Sequence, residues 1–180
     1  LPPLRGARLV VGVVALVVCG IAAVFVPAQF FRSYIIAYLF WNGICLGSLA
    51  VLMLHHLTGG AWGLLLRRPL GAATMTMPLV AVLLVPILVG IPELYAWSHT
   101  ASVATDPLVQ HKSAYLNVPF FIARTASYFI IWLALTWLMN RWSREQDRTG
   151  APALARRLSN ISGPGLVIYG LTVTFASLDW

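Results

Sequence analysis

Long apolar stretches, separated by short polar breaks, dominate the hydrophobic pattern of this chain. Their lengths approach or exceed the roughly 20 apolar residues that an α-helix needs to cross a bilayer. They do not alternate between apolar and polar positions, and they are about twice as long as a membrane β-strand. Because lipid offers no partners to backbone polar groups, the pattern predicts an all-α, polytopic transmembrane helix bundle in one domain. The five predicted spans are residues 9–26, 34–57, 72–94, 118–139 and 164–180.

The breaks between these stretches carry turn-forming residues. They fall at Pro27, Thr58-Gly59-Gly60, Asp106-Pro107 and Ser162-Gly163-Pro164. The chain begins with Leu1 and ends at Trp180 inside an apolar run. We therefore expect it to be truncated at both ends.

Composition agrees with a membrane protein. Of 180 residues, 59% are hydrophobic and only 9% are charged, whereas soluble domains carry about 25% charged residues. The mean hydropathy is +0.83. These values argue against a soluble globular domain, and they exclude an intrinsically disordered chain, which needs low hydrophobicity and high charge.

Positive charges alternate between successive loops. Nine of the 12 Lys and Arg residues lie in the N-terminal segment and in the second-to-third and fourth-to-fifth connections. The other loops hold Arg32 and Lys112, and Arg124 lies within a span. Since cytoplasmic loops are enriched in Lys and Arg, the pattern predicts a cytoplasmic N-terminus. It also accounts for the net charge of +7 without a nucleic-acid partner.

Polar and aromatic side chains form a stripe along the second predicted span. Spacings of 4, 3, 4, 3 and 7 place on one helical face Tyr34, Tyr38, Trp41, Cys45, Ser48 and His55. Because lipid offers no hydrogen bonds, the stripe is expected to face a protein interior or a cavity. Two interpretations stay open: a packing face filled by aromatic rings, and one wall of a site for a flat, apolar ligand with weakly polar ends.

The histidines do not indicate haem. A bis-histidine site needs two facing ligands at similar depth, but His55 and His56 are neighbours and point about 100° apart on a helix. His99 and His111 lie in the loop across the membrane. We therefore predict that the chain itself holds no haem, other cofactor or metal.

Charged and phenolic residues converge in depth at the predicted outer side. Arg124 lies about 9 Å from the outer end of the fourth span, and Asp179 about 22 Å from the inner end of the fifth. Glu93 ends the third span at that side, and Tyr34 and Tyr38 begin the second. A structural Arg124–Asp179 ion pair and a site role are compatible interpretations, because a paired charge also tunes a proton acceptor.

Three runs resemble a known family. They are LMLHHLTGGAWGLLLRRPLGAA at 52–73, YLNVPFFIARTASYFIIWLALTWLMNRWSREQD at 115–147 and LSNISGPGLVIYGLTVTFASLDW at 158–180. They are similar to the polysulfide-reductase/NrfD-like membrane subunits. The closest similarity is to the second such subunit, quinone-binding subunit 2, of bacterial alternative complex III. The resemblance implies a bundle of about ten spans in the bacterial cytoplasmic membrane, of which this chain would be roughly half. It also implies iron–sulfur, haem c and second NrfD-like partner subunits.

Three functional hypotheses follow. In the first, the chain is part of a quinol:electron-acceptor oxidoreductase with lipid quinol as substrate. Asp179 or Glu93 would then accept protons, Arg124 would hold the carboxylate charge, and the ring slot would be lined by Tyr34, Tyr38 and Trp41. In the second, the chain is a structural or proton-conducting anchor without quinone, and Ser48 and His55 belong to a proton path. The third, a solute transporter, ranks last because matching broken helices in two inverted halves are missing from the sequence. In none of these is the chain expected to be catalytic alone.

Overall fold

The computed structural model describes residues 3–99 and 110–180, and within these ranges it contains helices and no strands. The predicted all-α class is therefore confirmed. Short 3₁₀ turns lie at Ala61–Gly63 and Ala96–Ser98. The predicted turn at Asp106-Pro107 lies outside the described residues. The helices are α1 (Pro3–Phe25), α2 (Pro27–Thr58), α3 (Leu64–Thr74), α4 (Met77–Leu83), α5 (Val85–Val89), α6 (Ile91–Leu94), α7 (Val118–Thr149) and α8 (Pro152–Asp179).

Four helical segments of the described chain are long and apolar enough to cross a membrane. They are Pro27–Thr58, Leu65–Val89, Val118–Thr149 and Pro152–Asp179. They correspond to the second through fifth predicted stretches, which supports a multi-pass membrane protein. The apolar part of α1, Val10–Phe25, is shorter than these four. The first predicted span, residues 9–26, and the cytoplasmic N-terminus therefore stay predictions.

Two of the predicted breaks are confirmed as chain turns. Val26 separates α1 from α2, with Pro27 in the first turn of α2. Gly59 and Gly60 have φ angles of 67° and 93°, a left-handed conformation that glycine adopts without strain. These turns fix both ends of α2.

The predicted turn at residues 162–164 is wrong, because α8 is continuous from Pro152 with Pro164 inside it. Packing explains the continuity. A Cβ at Gly165 would lie 3.1 Å from Met53 Sδ and 3.3 Å from Leu135 Cδ2, so glycine allows the helix to pack closely here without a shift of these side chains. The Ser162 hydroxyl also donates to the Leu158 carbonyl at 2.7 Å. Tertiary contact outweighs the local preference for a turn.

The third predicted stretch is broken into α3, α4, α5 and α6. Pro78, Pro86 and Pro92 each occupy one of the first two positions of a new helix. Proline lacks the N–H that would continue the hydrogen-bond ladder of the preceding helix. The third stretch is therefore interrupted at these prolines and forms a series of short helices.

The core lies where α2 packs against α8, α7 and the broken segment. Leu49, Met53, Trp132 and Met139 are fully buried there. The Trp132 indole N–H donates to the Thr172 hydroxyl at 2.9 Å, which joins α7 to α8. This packing holds α2 in place, and α2 carries most of the predicted site.

Candidate functional site

An apolar groove runs between α2 and the broken third segment. Its larger part has a volume of about 430 Å³ and a smaller adjoining part about 110 Å³. The two parts share Trp41, Val80 and Leu83 as lining residues. Tyr34 and Tyr38 line the smaller part, so all three residues predicted to line a ring slot border one continuous groove.

Tyr34 joins α2 to the break between α4 and α5, which lies just before Pro86 in the sequence. Its hydroxyl donates to the Leu83 carbonyl at 2.7 Å. In a regular helix that carbonyl would accept from the Ile87 N–H, but Ile87 N donates to Leu84 O instead. The break thus frees a carbonyl, and the tyrosine satisfies it. This bond fixes one wall of the groove against the other.

Cys45 lies in the same way beside the break between α3 and α4. Its thiol lies 3.4 Å from the Ala73 carbonyl and 3.8 Å from the Thr74 carbonyl. The Thr76 hydroxyl donates to the same Ala73 carbonyl at 2.7 Å. Pro78 has no N–H to offer Thr74 O, so polar side chains supply donors at this break. Polar side chains of the α2 stripe therefore lie beside the breaks of the third segment.

Tyr38 and Trp41 differ in their surroundings. Tyr38 is buried, and its hydroxyl has no hydrogen-bond partner within the described structure. Trp41 is 62% exposed. Of the two expected surroundings, a protein interior or a cavity, Tyr38 has the first and Trp41 the second, because the broken segment beside Trp41 leaves the groove open. An unpaired phenol beside an open aromatic wall suits a flat ligand with a polar edge.

Ser48 and His55 are both buried, but they do not form a connected polar path. The Ser48 hydroxyl donates back to the Ile44 carbonyl at 2.7 Å. The His55 ring packs directly against Gly63, and its Nδ1 has no partner among the described residues. Between them the inward face of α2 carries apolar Leu49 and Leu52. These contacts do not link the two residues by hydrogen bonds.

The predicted Arg124–Asp179 ion pair is present. Arg124 Nη2 lies 2.7 Å from Asp179 Oδ1 and Nε lies 3.0 Å from Oδ2, which is a bidentate arrangement. The side chains are only 11% and 2% exposed. Arg124 Nη1 also donates to the Tyr115 carbonyl at 2.9 Å, and the guanidinium lies 3.8 Å from the centre of the Tyr115 ring.

Two further tyrosines complete this cluster, and the sequence analysis missed both. The Tyr115 hydroxyl donates to Asp179 Oδ1 at 3.1 Å, and the Tyr128 hydroxyl donates to Oδ2 at 2.9 Å. Tyr128 lies four residues after Arg124, so helical spacing was the signal that would have found it. Tyr115 precedes α7 and carried no periodic signal. The Asp179 carboxylate thus accepts four hydrogen bonds.

The Asp179 carboxylate also affects two tyrosines that lie outside the spans. Burial, and after it the nearby Asp179 charge, raises the pKa of Tyr95 to about 12. Burial and the hydrogen bond to Asp179 raise the pKa of Tyr115. Both hydroxyls therefore stay protonated at neutral pH, so Tyr115 remains a donor to the carboxylate.

Glu93 does not join the ion pair. It is exposed on α6, and within the described residues it forms no salt bridge. A side chain at Gly90 would overlap the Phe31 ring, so α6 packs directly against the start of α2. Glu93 therefore belongs to the helix that packs against the N-terminal part of α2, the part that carries Tyr34.

The groove and the ion-pair cluster are separate but adjoining. Arg124 and Tyr128 line a different cleft, together with Tyr115. The bridge between the two sites is Trp180, next to Asp179 in sequence, whose ring centre lies 6.2 Å from that of Tyr38. The structure thus brings the predicted residues together in two groups rather than one.

Metal-ligand chemistry does not emerge from this arrangement. In the described part of the chain, no three His, Cys, Asp or Glu side chains are grouped so that they could hold a metal ion. His55 and His56 lie side by side, with ring centres 5.4 Å apart.

Compared with known proteins, the chain matches no protein-family model and no curated protein.

Proposed function

We propose that this chain is an integral-membrane subunit of a respiratory quinol:electron-acceptor oxidoreductase, and that its groove binds the quinol ring. The observation that carries the proposal is the groove itself, with Tyr34, Tyr38 and Trp41 along one apolar wall. Ligand sites of this kind are mostly apolar with a few placed polar groups. The resemblance to quinone-binding subunit 2 of alternative complex III supports the same substrate class.

The groove matches a lipid quinol in both shape and polarity. The Trp41 ring offers a flat face, and Val80 and Leu83 form an apolar opposite wall. The buried Tyr38 hydroxyl has no partner in the described structure, so a quinol oxygen would satisfy it. Satisfying a buried polar group favours binding, since an unpaired one costs about 1–3 kcal/mol.

Oxidation of a quinol to a quinone releases two protons and two electrons, and each needs an acceptor. Glu93 is the better-placed proton acceptor, because it is exposed on the helix that packs against the N-terminal part of α2, the part that carries Tyr34. Asp179 already accepts four hydrogen bonds, so its oxygens are occupied by donors of the protein itself. The electrons pass to an iron–sulfur or haem c partner subunit in the bacterial cytoplasmic membrane. A second NrfD-like subunit completes the membrane part.

The direct test is quinol binding to the purified chain in neutral detergent. Trp41→Ala removes the aromatic wall and is expected to weaken binding of a short-chain quinol at least tenfold. Phe40→Ala is the matched control: Phe40 is also 62% exposed on α2 but does not line the groove. Equal affinity of wild type and Trp41→Ala would remove the basis of the proposal.

A structural anchor without quinone is the second candidate. The Arg124–Asp179 cluster favours it, because four hydrogen bonds from α7 and the segment before it hold the Asp179 carboxylate of α8 and stabilise this end of the bundle. In that case the groove would bind ordinary lipid, and a quinol would compete no better than an alcohol of equal chain length.

A further inference from the structure

A second cleft lies at the opposite, basic end of the bundle. It lies between the start of α4 and the last turns of α7 and has a volume of about 280 Å³. Pro78, Leu133 and Trp137 supply its apolar lining. This end also carries Arg67, which forms an ion pair with Asp147 of α7 at 3.1 Å.

The polarity of this cleft changes in steps along α7. Leu133, Thr136, Asn140 and Arg144 follow one another at spacings of 3, 4 and 4, so they share a helical face. Over about 16 Å the lining goes from apolar through neutral polar to cationic. The buried Thr136 hydroxyl has no hydrogen-bond partner among the described residues. A phospholipid has the same order of acyl chain, ester linkage and phosphate.

The cations at the mouth of the cleft are not neutralised. Arg144 is exposed; its Nε donates to the Asn140 carbonyl at 3.2 Å and its Nη1 contacts Met75 Sδ at 3.8 Å. The Arg141 guanidinium lies 4.9 Å from the centre of the Trp137 ring. Within the described residues neither arginine forms an ion pair. Arg148, by contrast, is paired with a neighbouring carboxylate at 3.0 Å.

We propose that this cleft binds one anionic phospholipid. The phosphate lies on the free N–H groups of Arg144, because a guanidinium fork matches phosphate oxygens. An acyl chain follows Leu133 and Pro78 into the bilayer, with Trp137 at headgroup depth. A net negative headgroup is preferred, since Arg141, whose guanidinium lies over the Trp137 ring, adds a second cation beside the cleft. The proposal does not rest on quinol binding.

The test is a lipid titration of the purified chain followed by native mass spectrometry. Phosphatidylglycerol is compared with phosphatidylcholine of identical acyl chains. The wild type is expected to prefer phosphatidylglycerol by about fivefold or more, the size expected for one arginine near an anionic headgroup. Arg144→Gln is expected to abolish the preference. Arg148→Gln is the matched control: it removes the same charge at the same end of the bundle, outside the cleft, and is expected to keep it.

Three results would overturn the proposal. They are equal binding of both lipids by the wild type, equal loss of preference in Arg148→Gln, and displacement of phosphatidylglycerol by equimolar inorganic phosphate. If Arg144→Gln fails to fold, Trp137→Ala decides instead, because this exposed ring forms one wall of the cleft. Unchanged phosphatidylglycerol affinity in Trp137→Ala would then contradict the proposal.

Discussion

The partners of Asp179 could be predicted from the sequence only in part. Its depth in an apolar stretch, matched to that of Arg124, was sufficient to predict the ion pair that the structure contains. Of the two phenol donors, Tyr128 was indicated by its helical spacing from Arg124, whereas Tyr115 was not predictable because it reaches the carboxylate from an irregular segment. Those donors show that the carboxylate joins α8 to α7 and to the segment before it.

Asp179→Asn is therefore expected to destabilise the chain. It leaves the buried Arg124 without a counter-charge, and loss of one partner of a buried pair typically costs about 3–5 kcal/mol. The double variant Arg124→Gln with Asp179→Asn should recover most of that loss, because it leaves no uncompensated charge. Chemical unfolding in mixed micelles measures the free energy of unfolding of the single and the double variant. A stable Asp179→Asn variant that has lost quinol turnover would instead place this carboxylate in the reaction.

At the scale of the helices, the prolines of the third segment leave backbone carbonyls without their helical partners, and polar side chains of α2 lie beside those carbonyls. The sequence contained both signals, three prolines in one stretch and a polar stripe on the helix before it, but not their connection. Only the structure shows that the Tyr34 hydroxyl and the Cys45 thiol lie at carbonyls of the broken segment. The continuous α8 illustrates the opposite case, in which Gly165 packing preserves a helix across Pro164.

A pair of conservative variants tests this connection. Tyr34→Phe removes the donor to the Leu83 carbonyl and is expected to lower the free energy of unfolding by about 1–3 kcal/mol. Tyr38→Phe removes a hydroxyl without a partner in the described structure, so its stability is expected to be unchanged or higher. Its quinol affinity, however, is expected to fall. Equal stability losses in the two variants would contradict the assigned roles.

At the scale of the whole molecule, the alternation of positive charge predicts a single orientation. The structure agrees with one part of it, because Arg67 of the second-to-third connection contacts Ser143 and Asp147 near the end of α7. These segments therefore lie at the same end of the bundle. Which membrane face this end meets is set by the loop charges.

Reporter fusions test the orientation directly. Fusions after Arg68 and after Arg148 are expected to be active as cytoplasmic reporters, and a fusion after Lys112 as an external one. The control changes the positive charges and leaves the helices as they are. Neutralising the arginines of the fourth-to-fifth connection should weaken the preference for one orientation. The opposite pattern would place Glu93 and the Arg124–Asp179 pair at the inner surface.

The central claim is that a quinol ring occupies the groove between α2 and the broken segment. Photolabelling of membranes that contain the protein with an azido-quinone, followed by peptide mapping, tests it most directly. The account predicts label on residues 34–41 and 76–83, removed by excess unlabelled quinol and lost in Trp41→Ala but not in Phe40→Ala. Label spread evenly over exposed residues outside these ranges, such as Ile130 and Leu171, with no effect of competitor, would contradict it.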